Sequence, residues 1–358
     1  MDFRLNSEQE LLRDGLGRFL AARYDMDKSR AAAKTGAGWQ PDIWRGFAEE
    51  LGILGATVPE SAGGSGGGAI EAMVIAEELG RALVIEPFVD TVVVAGGLLR
   101  RAGGAQAMEL LEHIADGSAI VAVASDPVCT EAIHDGGTWV LTGRPVVVMD
   151  APIATHLLIA AQTGDHVGLF LTTADVPMHA YRTIDDRRAA DIVIDGLRLP
   201  AEARIAADAG ASLELAHDEG AAAVCAEAVG AMRKVLADTV EYAKQRQQFG
   251  QPIGGFQVLQ HRMVDMHIEL EQAVAAAYLA TLKLGEHPAA RARAVSAAKA
   301  TIGRAARFVG QSAVQLHGGM GMTEELAIGH YFKRLTALQY EFGSTDYHRS
   351  RYARLTRG

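Results

Sequence analysis

The chain has 358 residues, 49% of them hydrophobic, and a formal net charge of −10. That length buries a sizeable core and accommodates two or three domains, and the apolar content excludes a disordered chain. The acidic balance, with no basic stripe interleaved with aromatics, excludes a nucleic acid gripped through its phosphates. Cys129 and Cys225 have neither CxxC nor Cys/His spacing, so a reducing cytoplasm is expected, with no structural metal. The opening MDFRLNSEQELLRDGL has neither the cationic start nor the apolar run of a signal peptide. No uncharged apolar run reaches the roughly 18 residues of a membrane span. A cytoplasmic protein without a membrane anchor is the expectation.

Taken in order, Ser7 and Glu10 form an S-x-x-E capping pattern before a helical face of Leu11, Leu12, Leu16, Phe19 and Leu20. Asp42 to Leu51 is a second predicted helix, with Ile43, Phe47 and Leu51 on one side. The glycine-rich stretch Gly63 to Gly68 has two readings, a phosphate-cradling loop or a sharp turn into a helix over Ile70 to Leu83. No strand precedes it and no Lys-Ser/Thr follows, which favours the turn. Val92–Leu99 and Ala107–Ile114 are further apolar-faced helical segments.

From Ala119 the period changes to short β-branched runs: IVAVA, TWVLTG, PVVVM, THLLIAA, VGLFL and DIVID. His134-Asp135-Gly136-Gly137 is a hairpin turn signal, and Pro145 marks a strand start. No helices of about 10–15 residues separate the strands, so a parallel dinucleotide-binding sheet is excluded. From Ser212 the pattern is helical again in four long, alanine-rich segments. The expected fold class is α+β, with an N-terminal helical domain over 1–117, a middle antiparallel β domain over 118–205 and a C-terminal four-helix bundle over 206–358. Within that bundle, Val240 to Met266 reads as a helix end, a turn at Phe249-Gly250-Gln251-Pro252-Ile253-Gly254, and a new helix.

The string RQQFGQPIGGFQVLQHRMVDM within that stretch resembles the central helical signature of the acyl-CoA dehydrogenase family, and VQLHGGMGMTEE, Val314 to Glu325, resembles its second signature. The resemblance covers almost the whole chain in order and spacing, including a Gly-rich turn before a helix with a Glu-Glu pair like Glu77-Glu78. It implies a helical–β–helical architecture and FAD-dependent α,β-desaturation of an acyl-CoA thioester. In that chemistry a carboxylate takes the α-proton, the β-hydrogen leaves as hydride to the flavin, and hydrogen-bond donors steady the developing enolate.

Carried over residue by residue, Arg246 and Phe249 meet the pyrophosphate and adenine end of the FAD held by a neighbouring subunit. Gln257, Gln315, Gly318 and Gly319 line the same cofactor, and Ser125 falls near its ring end. Around the ring the chain departs from the family. Ser125-Asp126-Pro127-Val128-Cys129-Thr130 stands where Thr-Glu-Pro and a Gly-Ala-Gly-Ser-Asp run are usual. Val147-Val148-Met149-Asp150 replaces a Trp-Ile-Thr-Asn, with loss of stacking area and a donor.

The base departs too. In Tyr340-Glu341-Phe342-Gly343-Ser344-Thr345-Asp346 the aromatic Phe342 holds the family's Glu position. Glu341 is one residue early, which rotates a helical side chain by about 100°. Glu219 lies one residue out of register with a rarer base position, and Glu227 is the other buried-looking carboxylate. His261 reads as a packing or interface histidine, and His317 and His330 lack metal-ligand company.

The chain is thus similar to the small, degenerate subunits of bacterial heteromeric members, pimeloyl-CoA dehydrogenase small subunits among them. That implies a second, catalytic subunit in a two-plus-two heterotetramer, a bulky or unusual acyl-CoA, and an electron-transferring flavoprotein as acceptor. Two alternatives stay open: a self-sufficient homo-oligomer using Glu219 or Glu341, and a flavin-free acyl-CoA-binding or scaffold subunit.

Overall fold

The computed structural model describes residues 5–35 and 38–357. Helix α1 (Ser7–Arg23) opens one residue earlier than the Ser7/Glu10 pattern suggests. Asn6 Oδ1 accepts the Gln9 N–H at 2.8 Å, and Gln9 Oε1 accepts the Asn6 N–H at 3.0 Å. Asn caps as well as Ser, and Gln closes the box as Glu would. There follow α2 (Met26–Lys34), α3 (Pro41–Glu49), α4 (Ala69–Ala82), a π-helical turn over Val89–Ala95 that runs into α5 (Gly96–Ala102), and α6 (Gly104–Ala115). The strands are β1 (Val121–Ala124), β2 (Thr130–Asp135), β3 (Thr138–Gly143), β4 (Val148–Met149), β5 (His156–Thr163), β6 (His166–Thr173), β7 (Met178–Arg182), β8 (Arg188–Ile192), β9 (Ile194–Pro200) and β10 (Arg204–Ala206). After α7 (Gly210–Gln245) come the two-residue strands β11 (Gln247–Gln248) and β12 (Gln251–Pro252), then α8 (Gln257–Leu282), α9 (Pro288–His317), α10 (Ala327–Leu338) and α11 (Thr345–Arg357). The C-terminal region therefore has five helices where four long segments were expected. The last segment breaks at Phe342 and Gly343, whose φ values of 53° and 99° cannot continue a right-handed helix. No helix among the described residues is long and apolar enough to cross a membrane.

The chain folds as two compact units, one of Met1–Met26, Met73–Val84 and Ala221–Gly358, the other of Asp27–Ala72 and Ile85–Gly220. The second unit carries the two larger sheets. Its main sheet runs β10-β6-β5-β2-β3-β9, and a smaller one runs β4-β8-β7. Pairing is antiparallel except at β5, where β1 runs parallel from Val121↔His156 to Ala124↔Ile159 and β2 adds a single parallel bridge. Alternating residues build one core, with Trp139 edge-on to Phe170 at 5.4 Å. The β2–β3 hairpin turns on Gly136 and Gly137, both at positive φ, as its sequence predicts. At Pro145 the strand is delayed to Val148, because Val147 adopts φ 53°.

The Gly63–Gly68 stretch resolves as a turn. Ser65, Gly66 and Gly67 donate their amides to the Gly55, Val58 and Ala56 carbonyls at 2.9, 2.8 and 2.9 Å. Those donors are taken by the chain itself and are not available to a phosphate.

In the first unit, α4 and α7 meet backbone to backbone. A Cβ on Gly80 would overlap the Glu227 carbonyl, and one on Gly230 would overlap that of Glu77. Two glycines thus let two helices touch where any side chain would hold them apart. Helices α8, α9, α10 and α11 pack beside them through buried alanines such as Ala273, Ala277, Ala298, Ala305 and Ala313.

Candidate active site

The first unit brings the two signature segments together. Helix α7 ends at Gln245, and the chain turns back through β11 and β12 with Gln247 opposite Pro252 and Gln248 opposite Gln251. The turn residues Phe249 and Gly250 sit at φ 52° and 81°, the pair of positive values that a two-residue hairpin requires. Phe249 is 92% exposed and packs only edge-on against Phe256. Arg246 is exposed, with no side-chain partner among the described residues. Tyr242, one turn before Arg246, stacks on His317 at 4.2 Å, and its hydroxyl donates to the His317 carbonyl at 3.4 Å. This contact seats the end of α9, with exposed Gln315, Gly318 and Gly319, beside the hairpin. A Cβ at either glycine would meet nothing within 4 Å, so the surface there lies open. Gln257 starts α8 and is exposed as well.

A free guanidinium, an exposed aromatic ring, exposed amides and open glycine backbone suit a pyrophosphate with a flat base attached. At this end the residues fit FAD. His317 and His330 are buried and bonded to the Ala313 and Glu324 carbonyls, whereas His261 is exposed, so its packing assignment does not hold within the chain.

The ring-end residues lie in the second unit and fit less well. Ser125 is exposed after β1, but Asp126 uses its carboxylate on the Val128 amide at 3.0 Å and the Cys129 thiol at 3.4 Å. Val147 gives its amide to Asp191 at 2.9 Å, as Tyr181 gives its hydroxyl. The Val147 amide foremost, then the Tyr181 hydroxyl, hold the Asp191 carboxyl below its usual range. The side chains of Val147, Val148 and Met149 offer no hydrogen-bond donor.

Both candidate bases are already engaged. Glu219 takes Arg101 Nη1 on its two oxygens at 2.9 and 3.0 Å, while Arg101 Nη2 also donates to the Ser212 carbonyl. Gly97 makes room for it, since a Cβ there would come within 2.5 Å of Glu219 Oε2. Glu341 pairs with Arg334 through Nη1 and, at 3.1 Å, through Nη2. The same guanidinium, 2% exposed, also clasps Glu227 at 2.7 and 2.8 Å. Around it, Lys299 donates to the Leu338 and Gly343 carbonyls at 2.7 and 3.3 Å, and its burial lowers its pKa. Burial also pushes the neighbouring Cys225 thiol up to about 12. The Phe342 carbonyl accepts a hydrogen bond from His348 Nε2 at 2.7 Å. Arg334, Lys299 and His348 carry no motif. What marks them is burial of a charged or titratable group, which becomes visible only after folding.

Family models for the acyl-CoA dehydrogenase N-terminal and C-terminal domains match residues 6–138 and 213–356. The acyl-CoA dehydrogenase IpdE2 of Mycolicibacterium smegmatis is 32% identical over 92% of this chain and 93% of its own length. The chain belongs to the acyl-CoA dehydrogenase family. It is therefore a member of a family of FAD-dependent oxidoreductases. Among solved structures, the ChsE4–ChsE5 complex from Mycobacterium tuberculosis superposes with a TM-score of 0.93 at 25% identity, covering 100% of this chain and 99% of that one. A variant of the Tcur3481–Tcur3483 steroid ACAD gives 0.89 at 28% identity, covering 98% of both chains. The expected architecture, helical then β then helical, is the one these structures share.

Proposed function

We propose that this acyl-CoA dehydrogenase chain is the partner that completes the FAD site of a second, base-bearing subunit in a two-plus-two heteromer. The observation that carries this reading is that Glu219 and Glu341 are each held by an arginine of their own unit. A base that removes an α-proton needs a free lone pair beside the substrate. Here the guanidinium groups occupy the carboxylate oxygens that a base would turn to its substrate.

Two further observations support it. The side chains of Val147 and Met149 supply neither a donor nor a ring, whereas Arg246, Phe249, Gln315 and Gly319 are exposed and suited to a cofactor shared with a neighbour. Arg246 would grip the pyrophosphate with its fork, and Gly318 and Gly319 would let the backbone approach it. FAD, when bound, supplies the hydride acceptor, and an electron-transferring flavoprotein takes the electrons onward in the cytoplasm. The two-component names of the ChsE4–ChsE5 complex and of the Tcur3481–Tcur3483 steroid ACAD favour a heteromer and a bulky, steroid-like acyl group.

The test is acyl-CoA-dependent reduction of an artificial electron acceptor by the reconstituted pair, with flavin content measured for each variant. Glu219→Gln and Glu341→Gln should each retain most of the activity. A loss of about a thousand-fold with FAD still bound would overturn the reading and identify the base. Full turnover by this chain alone would favour a self-sufficient homo-oligomer.

A further inference from the structure

The first unit also holds a cavity of about 630 Å³ between α1, α4, α7 and α10, lined by none of the anchor residues. Four cations face it: Arg13 and Arg18 from α1, Arg81 from α4 and Lys234 from α7. Two carboxylates oppose them, Asp14 and Glu78. In a chain of net charge −10 this is a local reversal of sign.

The cations differ in how far they are satisfied. Lys234 is neutralised by Asp238 at 2.6 Å, one turn along its helix. Among the described residues Arg13 bonds only to the adjoining exposed Asp14, at 3.2 Å. Arg81 stands 3.7 Å from Glu78, beyond hydrogen-bond reach, and its side chain is 60% exposed. Arg18 makes no side-chain hydrogen bond or ion pair among the described residues. Glu78 is buried beneath Gly17, where a Cβ would come within 3.2 Å of its carboxylate. That burial raises its pKa, against the opposing pull of Arg81.

We propose that this cavity binds a phosphorylated organic anion of nucleotide size. Three guanidinium groups with unfilled donors call for several negative charges, and their forks match phosphate oxygens. Arg13 and Arg18 are five residues apart, about 7.5 Å along α1, so the charge they meet is spread along the ligand. A lone carboxylate would leave most of these donors unmet. The floor is apolar, made by Leu20, Ala21 and Ala82 with the half-buried ring of Tyr24. That surface suits the organic body of the ligand, and the volume lies within the range of small-molecule pockets, roughly 300–1,000 Å³.

The experiment is calorimetric titration of ADP, pyrophosphate and adenosine into the assembled protein, kept saturated with FAD so that the cofactor anchor is filled. ADP should bind, adenosine should not, and pyrophosphate should bind more weakly than ADP. Arg18→Ala and Arg81→Ala, both at exposed positions, should each weaken ADP binding by about ten-fold or more with FAD content unchanged. Arg246→Ala should lower FAD retention and leave ADP binding as it is. The proposal is overturned if ADP gives no binding heat, if pyrophosphate matches ADP, or if ADP binding falls with Arg246→Ala and survives Arg18→Ala.

Discussion

One guanidinium, that of Arg334, holds two carboxylates, Glu227 and Glu341, at 2% exposure. Removing it leaves two like charges facing each other, with Glu227 buried and Glu341 half-buried. Arg334→Met should therefore lower unfolding stability by about 3–5 kcal/mol, read from urea denaturation of the FAD-saturated protein. A loss below about 1 kcal/mol would mean that the carboxylates find other partners. Of this, the burial of Glu227 was legible in the sequence, and its partner was not. Arg334 and Glu341 are seven positions apart across a helix break, and Glu227 precedes Arg334 by 107 residues. Phe342 was legible as an aromatic in the family's carboxylate position, but its left-handed backbone was not. A bulky residue avoids positive φ unless its surroundings impose it. Here His348 on its own carbonyl and Lys299 on the carbonyl of Gly343 do so.

Among elements, the crossing of α4 and α7 is the contact least tolerant of change. Gly230→Ala places a methyl group inside the Glu77 carbonyl, and a backbone atom cannot rotate aside as a side chain end can. The expected loss is about 3 kcal/mol, at the upper end for overpacking. Gly285→Ala, where nothing lies within 4 Å, should stay within about 0.5 kcal/mol. Equal denaturation midpoints for the two variants would show that the helices separate freely. Local chemistry made several elements readable in advance: the Asp135–Thr138 hairpin has the glycines its turn demands, and β-branched runs marked most strands. The parallel direction of β1 was not readable, because strand orientation depends on the route of the connection and not on local residues. The Gly63–Gly68 stretch had two readings in the sequence, of which the turn was favoured because no strand precedes it and no Lys-Ser/Thr follows. Glycine serves both close approach and anion cradling, and only the carbonyls of Gly55, Ala56 and Val58 decide between them.

For the molecule as a whole, helix α8 presents Val264, Ile268 and Leu279 to solvent at 54, 49 and 42% exposure. On a helical projection these three lie within about 60° of one another, an apolar face that a second chain can cover. Ile268→Glu should cut recovery of the proposed heteromer in size-exclusion chromatography by at least half, with the circular dichroism of the single chain unchanged. Undiminished assembly would place the subunit contact elsewhere. The family and its α–β–α order were legible because two signatures survive almost intact in the sequence. The cavity beside α1 was not, since Arg81 on α4 lies more than sixty residues along the chain from Arg13 and Arg18 on α1 and no motif links them.

The glycine crossing also bears on how the first unit can move. A switching element needs two packings of similar energy, and side chains supply them by interlocking in alternative registers. At Gly80 and Gly230 the backbones of α4 and α7 touch, with no side chain between them to take up an alternative register. Slack of that kind lies instead where side chains line both walls, as they do in the cavity between α1 and α4.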